Sequence, residues 1–407
     1  MKDVADIIVV GGGPVGSFTA FNLAKLGAKV MVLEAHQTIG RPSHCAGHLS
    51  IRSLRNLGLY PLPGKIVENT FSQANFYAPS GFRFSVHLAK PVTCSVNREA
   101  FDKYLADKAE AAGAHYHLNL RVQSLVVKDG AVKGVTAKQN DKLESFAAKI
   151  VVDAEGISSR LLRQAGLAGL NGESLVYAIE AEAENAKDLE MEAVEVFLGK
   201  DYAPGFYAWH MPRLDGTAKV GLATKSGNPK DFLQRLMLKH PVASRQLSRA
   251  KITHMAFHPI SLGGPIPKAY ASGFLAVGDV ASQVKPTTGG GVIFGLTCAR
   301  IAAEVAEEAI RRNNVSSRFL QVYQKRCTDT LGFDISIMLR LRRFLDSLSD
   351  EKLDEILRFC ARIGLNKPLE NVEEIDFQGQ LLLRILMKPA MFAALAYFLK
   401  LYLSANP

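Results

Sequence analysis

Three glycines, Gly11, Gly13 and Gly16, have G-x-G-x-x-G spacing and stand between a strand-forming run and a helix-forming segment. That spacing handles phosphate through the backbone rather than through side chains. Gly11 permits a tight turn, Gly13 lets the main chain approach a pyrophosphate, and Gly16 lets helix and strand pack closely. A helix that begins at Pro14 offers unpaired N–H groups and a positive dipole end to the phosphates. Glu34 follows twenty-three positions after Gly11. An acid at that distance can accept hydrogen bonds from the ribose hydroxyls of an adenosine. Together these residues describe a dinucleotide site, a chemistry that NAD and FAD share.

Such a site needs a strand–turn–helix–strand unit to hold it. Residues 5–10 read as a buried strand, Pro14 to Leu26 as a helix, and residues 29–33 as the next strand. That order implies a parallel sheet. The apolar run Ile7 to Val10 is strand length and leads straight into glycines, so it reads as a strand and not as a signal peptide. Residues 60–95 lack helical period and read as loops and strands. Residues 97–112 have helical spacing. Residues 115–152 alternate as strands with a turn at Asp129-Gly130. From about 174 to 262 the pattern is mostly strand, with one helical stretch near 229–248. Residues 273–277 form another buried strand, followed by a Gly-rich turn and a helix from about 290 to 312. The nucleotide fold is therefore discontinuous. The tail from 316 to 404 reads as helices.

The chain has 407 residues, 48% of them hydrophobic, enough for a sizeable core of two or three regions. A formal net charge of +10 suits anionic surfaces without choosing among them. The five cysteines, Cys45, Cys94, Cys298, Cys327 and Cys360, form no C-x-x-C pair. Neither a metal site nor a disulfide framework is expected, and a reducing compartment fits.

Two segments far downstream separate FAD from NAD. One is Asp153 to Arg160, a D-x-x-G stretch that ends in arginine, with Arg163 close by. The other is Gly278-Asp279, followed by Pro286-Thr287-Thr288-Gly289-Gly290-Gly291. These resemble the flavin-contacting segments of the p-hydroxybenzoate-hydroxylase-like flavoproteins. The resemblance implies that Asp279 contacts the ribityl or pyrophosphate part of FAD. It also implies that the helix opened by Gly290, Gly291 and Val292 faces the pyrimidine end of the isoalloxazine, where reduced flavin is negative. Hydroxylases of that superfamily usually carry G-Q-G followed by Asn and Asp. This chain has Gly289-Gly290-Gly291-Val292-Ile293-Phe294-Gly295 instead, which resembles the geranylgeranyl reductase family. Ala203 to Pro212, containing Tyr207-Ala208-Trp209, resembles that family's Y-x-W-x-F-P signature, and Lys219 to Ala223 its N-V-G-x-G strand. Gly40 to Ser50 resembles its cysteine-containing segment, with Ala46 and His48 displacing the usual glycine and acid. Asn97 to Asp102 resembles an R-x-x-F-D helix start whose arginine lies near the flavin. The resemblance covers roughly residues 5–300.

The expected fold is α/β: a Rossmann-like FAD-binding domain with an inserted antiparallel-sheet substrate domain and a helical C-terminal region. The expected domains are 1–58, 96–172 and 263–315 for FAD, 59–95 and 173–262 for substrate, and 316–407 for the helical region. The cofactor-binding residues are Gly11, Gly13, Pro14, Gly16, Glu34, Ala35, Cys45, Ala46, Arg98, Arg121, Val122, Gly278, Asp279, Gly290, Gly291 and Val292. Tyr207, Trp209 and His48 are the expected substrate contacts; the resemblance places Cys45 near flavin and substrate, which makes it the candidate catalytic residue and proton donor, with water as the alternative donor. The implied activity is saturation of isolated C=C bonds in geranylgeranyl chains of ether lipids or their precursors. Alternatives are a flavin monooxygenase acting on an apolar substrate and an electron-transfer flavoprotein serving a quinone. Ferredoxin or NAD(P)H would supply electrons; no second G-x-G-x-x-G unit is evident, and no nucleic-acid partner is expected. The apolar stretch Leu381–Leu403, interrupted by Arg384, Lys388, Pro389 and Lys400, reads as two short amphipathic helices, either on a membrane surface or packed as a lid. A cytoplasmic protein, peripheral on the membrane's cytoplasmic face in the first case, is expected.

Overall fold

The computed structural model describes residues 2–386. The chain divides into two compact units, one comprising residues 1–43, 98–174 and 261–335, the other 44–97, 175–260 and 336–407. The first is built on an eight-stranded sheet whose spine runs Tyr270–Ala271, Phe274–Ala276, Lys142–Asp153, Lys2–Val10, Val30–Leu33, His115–His117. The four junctions from Phe274–Ala276 to His115–His117 are parallel. Ile7, Ile8 and Val9 have no exposed surface, which explains the unbroken apolar run: a parallel strand is covered on both faces. The ribbon Arg121–Lys128 and Ala131–Gln139 is antiparallel. It turns at Asp129 and Gly130, both at positive φ. Helix Pro14–Lys25 packs against helices Arg98–Ala111 and Val292–Arg311.

The second unit has a seven-stranded sheet in the order Lys251–Ser261, Leu175–Glu184, Ala218–Thr224, Ala208–Pro212, Ala193–Phe197, Gln73–Tyr77, Arg83–His87. Ala193–Phe197 and Gln73–Tyr77 are parallel. One face, with Ile179, Ala181, Phe197, Val220 and Leu222, is covered by Leu233, Leu236 and Leu247. Trp209, Met211 and Val194 belong to a separate cluster with Phe71. A small sheet joins His48–Ser50, Thr93–Val96 and Val67–Phe71. The chain thus enters this unit at His44, inside a stretch whose sequence pattern reads as part of the nucleotide domain.

The helical stretch near 229–248 is two helices, Pro229–Lys239 and Ala243–Leu247. Pro241 causes the break. It has no N–H to donate and forces its predecessor out of the helical region, leaving His240 at ψ 133°. Tail helices run Ser317–Ser347, Asp350–Arg362 and Gln378–Leu386. Most of the Leu381–Leu403 stretch lies outside the described residues. Among the described residues no helix is long and apolar enough to cross a membrane.

Candidate active site

In the first unit, the residues singled out from the sequence converge on the carboxyl ends of neighbouring parallel strands. Gly11 follows Lys2–Val10, Glu34 follows Val30–Leu33, Asp153 closes Lys142–Asp153, and Gly278-Asp279 lie just beyond Phe274–Ala276. This is where open α/β sheets bind ligands. Gly11 sits at φ +98°, and a Cβ there would lie 2.5 Å from the Ala154 carbonyl oxygen. A Cβ on Gly16 would lie 1.9 Å from the Gly11 oxygen, so helix and loop meet backbone to backbone. A Cβ on Gly13 would meet nothing within 4 Å: open space remains ahead of the helix. Gly13 is also the N-cap, with no side-chain cap and Pro14 next. The first-turn N–H groups are therefore left for an anion.

Glu34 is buried and held by two backbone donors. Gly12 N–H donates to its Oε2 at 2.7 Å, and His36 N–H to its Oε1 at 2.8 Å. A carboxylate has further acceptor capacity, which suits a ribose hydroxyl. Ala35 is the residue between Glu34 and His36. Leu120 N–H donates to the Glu34 carbonyl, which brings Arg121 and Val122 alongside. Arg121 is exposed, whereas the Val122 side chain is buried.

The downstream motifs meet each other. A Cβ on Gly291 would lie 2.6 Å from Asp279 Oδ1, so only glycine leaves that carboxylate room. Gly291 caps the twenty-residue helix Val292–Arg311 without a side-chain cap. Gly278, at φ +85°, donates its N–H to Gln283 Oε1 at 2.8 Å. Gln283 Nε2 donates to Tyr323 Oη at 2.7 Å, and Tyr323 donates to the Ala276 carbonyl at 2.9 Å. Gln283 and Tyr323 thus fix the Gly278-Asp279 turn from beneath, a role the sequence reading missed. Between Arg160 and Arg163, Arg160 makes the ion pair, its Nη2 lying 3.3 Å from Glu155 Oε2. Arg98 pairs with Asp102 of its own helix through two contacts of 3.1 Å. Burial raises the Asp102 pKa, and the Arg98 charge opposes that shift.

In the second unit Cys45 is half-buried, whereas Cys94 is buried. Burial pushes the Cys94 thiol up to about 12, which makes it inert at neutral pH. The loop around Cys45 is fastened by Lys219, the first residue of the segment that resembles the N-V-G-x-G strand. Its buried ammonium donates to the carbonyls of Ala46 at 3.1 Å and Val96 at 3.0 Å, and pairs with Glu68 Oε2 at 2.6 Å. Ala46 packs against the cluster of Phe71, Val194 and Met211, as does Trp209. His48 is exposed and meets the Phe71 ring edge-on at 5.7 Å. Tyr207 lies just before the strand Ala208–Pro212 and not within it. Its ring nevertheless meets Trp209 edge-on at 5.9 Å. The structure therefore gathers Ala46, Trp209 and the Phe71 neighbour His48 around one apolar cluster. Among the described residues, no group of three or more His, Cys, Asp or Glu could hold a metal ion.

Residues 4–327 match the family model described as FAD binding domain. The chain is 33% identical over 387 residues to digeranylgeranylglycerophospholipid reductase 2 of Methanothermobacter thermautotrophicus, covering 94% of this chain and 96% of that one. It is 32% identical over 384 residues to the digeranylgeranylglycerophospholipid reductase of Methanocaldococcus jannaschii, covering 90% and 97%. The chain belongs to the digeranylgeranylglycerophospholipid reductase family. A solved structure of a geranylgeranyl bacteriochlorophyll reductase-like protein from Thermoplasma acidophilum superposes with a TM-score of 0.86, at 26% identity, covering 96% of this chain and 98% of that one. The flavin-dependent brominase Bmp2, at 19% identity and TM-score 0.70 (88% and 93% covered), shares the fold alone. The α/β flavoprotein fold and the family read from the motifs both hold for this reductase-family chain. Its cofactor is FAD. The cradle fits that group on its own geometry: two helix N-termini without side-chain caps, glycines where a Cβ would strike backbone or Asp279, and the fixed Glu34 carboxylate.

Proposed function

We propose that this protein reduces isolated C=C bonds in the geranylgeranyl chains of an ether-linked glycerophospholipid or its precursor. One observation carries the reading: identity to reductases named for that lipid runs over 94% of the chain and so takes in both units. Reduced FAD, when bound, supplies the hydride. Gly13 and the following helix bind its pyrophosphate, Glu34 its adenosine ribose, and Asp279 with Gly290 and Gly291 its flavin half. Pro14, Gly16, Ala35, Arg98, Arg121, Val122, Gly278 and Val292 complete that cradle.

An isolated alkene has no carbonyl to activate it, so alignment and exclusion of water carry much of the task. Tyr207, Trp209 and His48 line the chain's path in this reading. Cys45 holds the proton at Sγ and delivers it to the alkene carbon that does not receive hydride. Lys219 keeps the loop carrying Cys45 and Ala46 in place. The functional partition follows: an FAD-binding part, a sheet that takes the lipid chain, and a helical C-terminal part. Reduced ferredoxin or NAD(P)H reloads the cofactor. The protein works in the cytoplasm, with a peripheral contact at the membrane that holds its substrate.

The test is incubation with a geranylgeranyl ether lipid and chemical reductant, with and without oxygen, read by mass spectrometry. The reading expects two added hydrogens per double bond without oxygen. A product that gains an oxygen atom, and forms only in air, makes the protein a monooxygenase instead.

A further inference from the structure

We propose that Glu180 positions Trp209 and sets the polarity of the wall Trp209 belongs to, so that the wall accepts an apolar chain only while this carboxyl carries its proton. The proposal rests on the reading that Trp209 faces a polyprenyl chain, and its test separates the two. In strand register Glu180 lies opposite Gly221, and Gly221 lies opposite Trp209. The three form one row across the sheet, on one face. Gly221 leaves the gap that the indole fills, since a Cβ there would stand 2.4 Å from Trp209 Cζ2. Lying over that gap, the indole Nε1–H donates to Glu180 Oε2 at 2.9 Å. The other oxygen, Oε1, is buried and has no hydrogen-bond partner among the described residues. An ionised carboxylate in that position would be short of donors.

The surrounding charges do not neutralise it. Lys219, on the adjacent strand, is engaged by Glu68 and two carbonyls. Arg213 is engaged by Glu68 and Glu182. Glu182, two residues along from Glu180, and Glu68 add negative charge. The flanking strand Lys251–Ser261 carries Lys251, His254 and His258. Burial pushes the Glu180 carboxyl up to about 8, with Lys219 and the Trp209 hydrogen bond opposing the rise. Below that pH the wall is a neutral acid beside an indole. Above it, a buried anion adjoins the chain path, and seating an apolar chain against it would exclude water from the charge.

Trp209 is the only tryptophan in the chain, so tryptophan emission arises at this site alone. The experiment titrates that emission in the FAD-bound protein and measures geranylgeraniol affinity across the same pH range. The expected wild-type emission change has its midpoint near pH 8. For a single proton with that midpoint, affinity falls about tenfold from about pH 7 to about pH 9. Glu180→Gln keeps an acceptor for the indole and should flatten both curves. A transition that persists in Glu180→Gln overturns the proposal. So does a wild-type affinity that does not change with pH, a result that needs no variant to fold. If emission titrates but geranylgeraniol binds at no pH, the polyprenyl reading and the polarity role both fall, while the positioning of Trp209 by Glu180 stands.

Discussion

Replacing Lys219 with methionine removes an ammonium that fastens the Cys45 loop to the sheet. Its side chain is 6% exposed and makes three contacts, two to backbone carbonyls and one to Glu68. Breaking a buried ion pair by removing one partner costs about 3–5 kcal/mol, because the other charge is left uncompensated. Here Arg213 Nη1 still lies 3.4 Å from Glu68, so the low end applies, about 3 kcal/mol. With a urea slope of about 2–3 kcal/mol/M, the unfolding midpoint should fall by about 1–1.5 M. The assay is urea denaturation followed by circular dichroism, on wild type, Lys219→Met, Glu68→Gln and the double variant. Glu68→Gln neutralises the orphaned carboxylate, so the double variant should recover at least about 1 kcal/mol relative to Lys219→Met. If Lys219→Met unfolds within a few tenths of a molar of wild type, the loop is not held in this way. Strictly additive effects of the two substitutions would deny the pair its coupling.

Gly16→Ala places a Cβ where only 1.9 Å separates it from the Gly11 oxygen, forcing helix and loop apart at a cost of about 1–3 kcal/mol. The purified variant should carry little FAD, and a wild-type flavin-to-protein absorbance ratio would contradict the cradle. Cys45→Ala should retain FAD and substrate binding but slow turnover by at least about tenfold, as expected for loss of a proton donor; unchanged turnover and product distribution would remove Cys45 from the mechanism. His240 is fully buried, and burial lowers its pKa to about 4. The unfolded chain takes up that proton near pH 6.5, so its stabilising effect is complete above that pH and is lost as pH falls towards 4. The loss is about 3 kcal/mol. His240 Nδ1 also accepts from the N–H groups of Val242 and Ala243 at 3.2 Å. His240→Asn can keep that capping role, so its urea midpoint should vary less between about pH 6.5 and 4; an unchanged pH slope would show that other groups dominate.

The glycine turn between the first strand and its helix was legible in the sequence because its demands fall on backbone space. Gly11 and Gly16 admit no Cβ, and such a requirement is written as glycine at fixed spacing. Asp279 and Gly291 lie twelve residues apart, and their motifs, read as a resemblance, identified the flavin rather than NAD. What escaped the sequence lies in contacts between residues far apart along the chain. Glu180, Gly221 and Trp209 share a row only because of the strand register, and Lys219 reaches Ala46 across 173 positions. Local periodicity does not encode such partners. Gln283 and Tyr323 escaped for the same reason, forty positions apart and both buried. The break at Pro241 was readable from proline's missing donor, but the helical spacing on either side concealed it.

Single turnover of the reduced FAD-bound protein, with no other donor present, asks whether the flavin's electrons reach the lipid double bond. Oxygen-free holoenzyme is reduced, freed of excess reductant, and mixed with a geranylgeranyl ether lipid, following flavin absorbance and product mass together. Each reoxidised flavin should match one double bond saturated, with no oxygen gained. Flavin that stays reduced, or reoxidises while the lipid mass is unchanged, would contradict the proposed reduction.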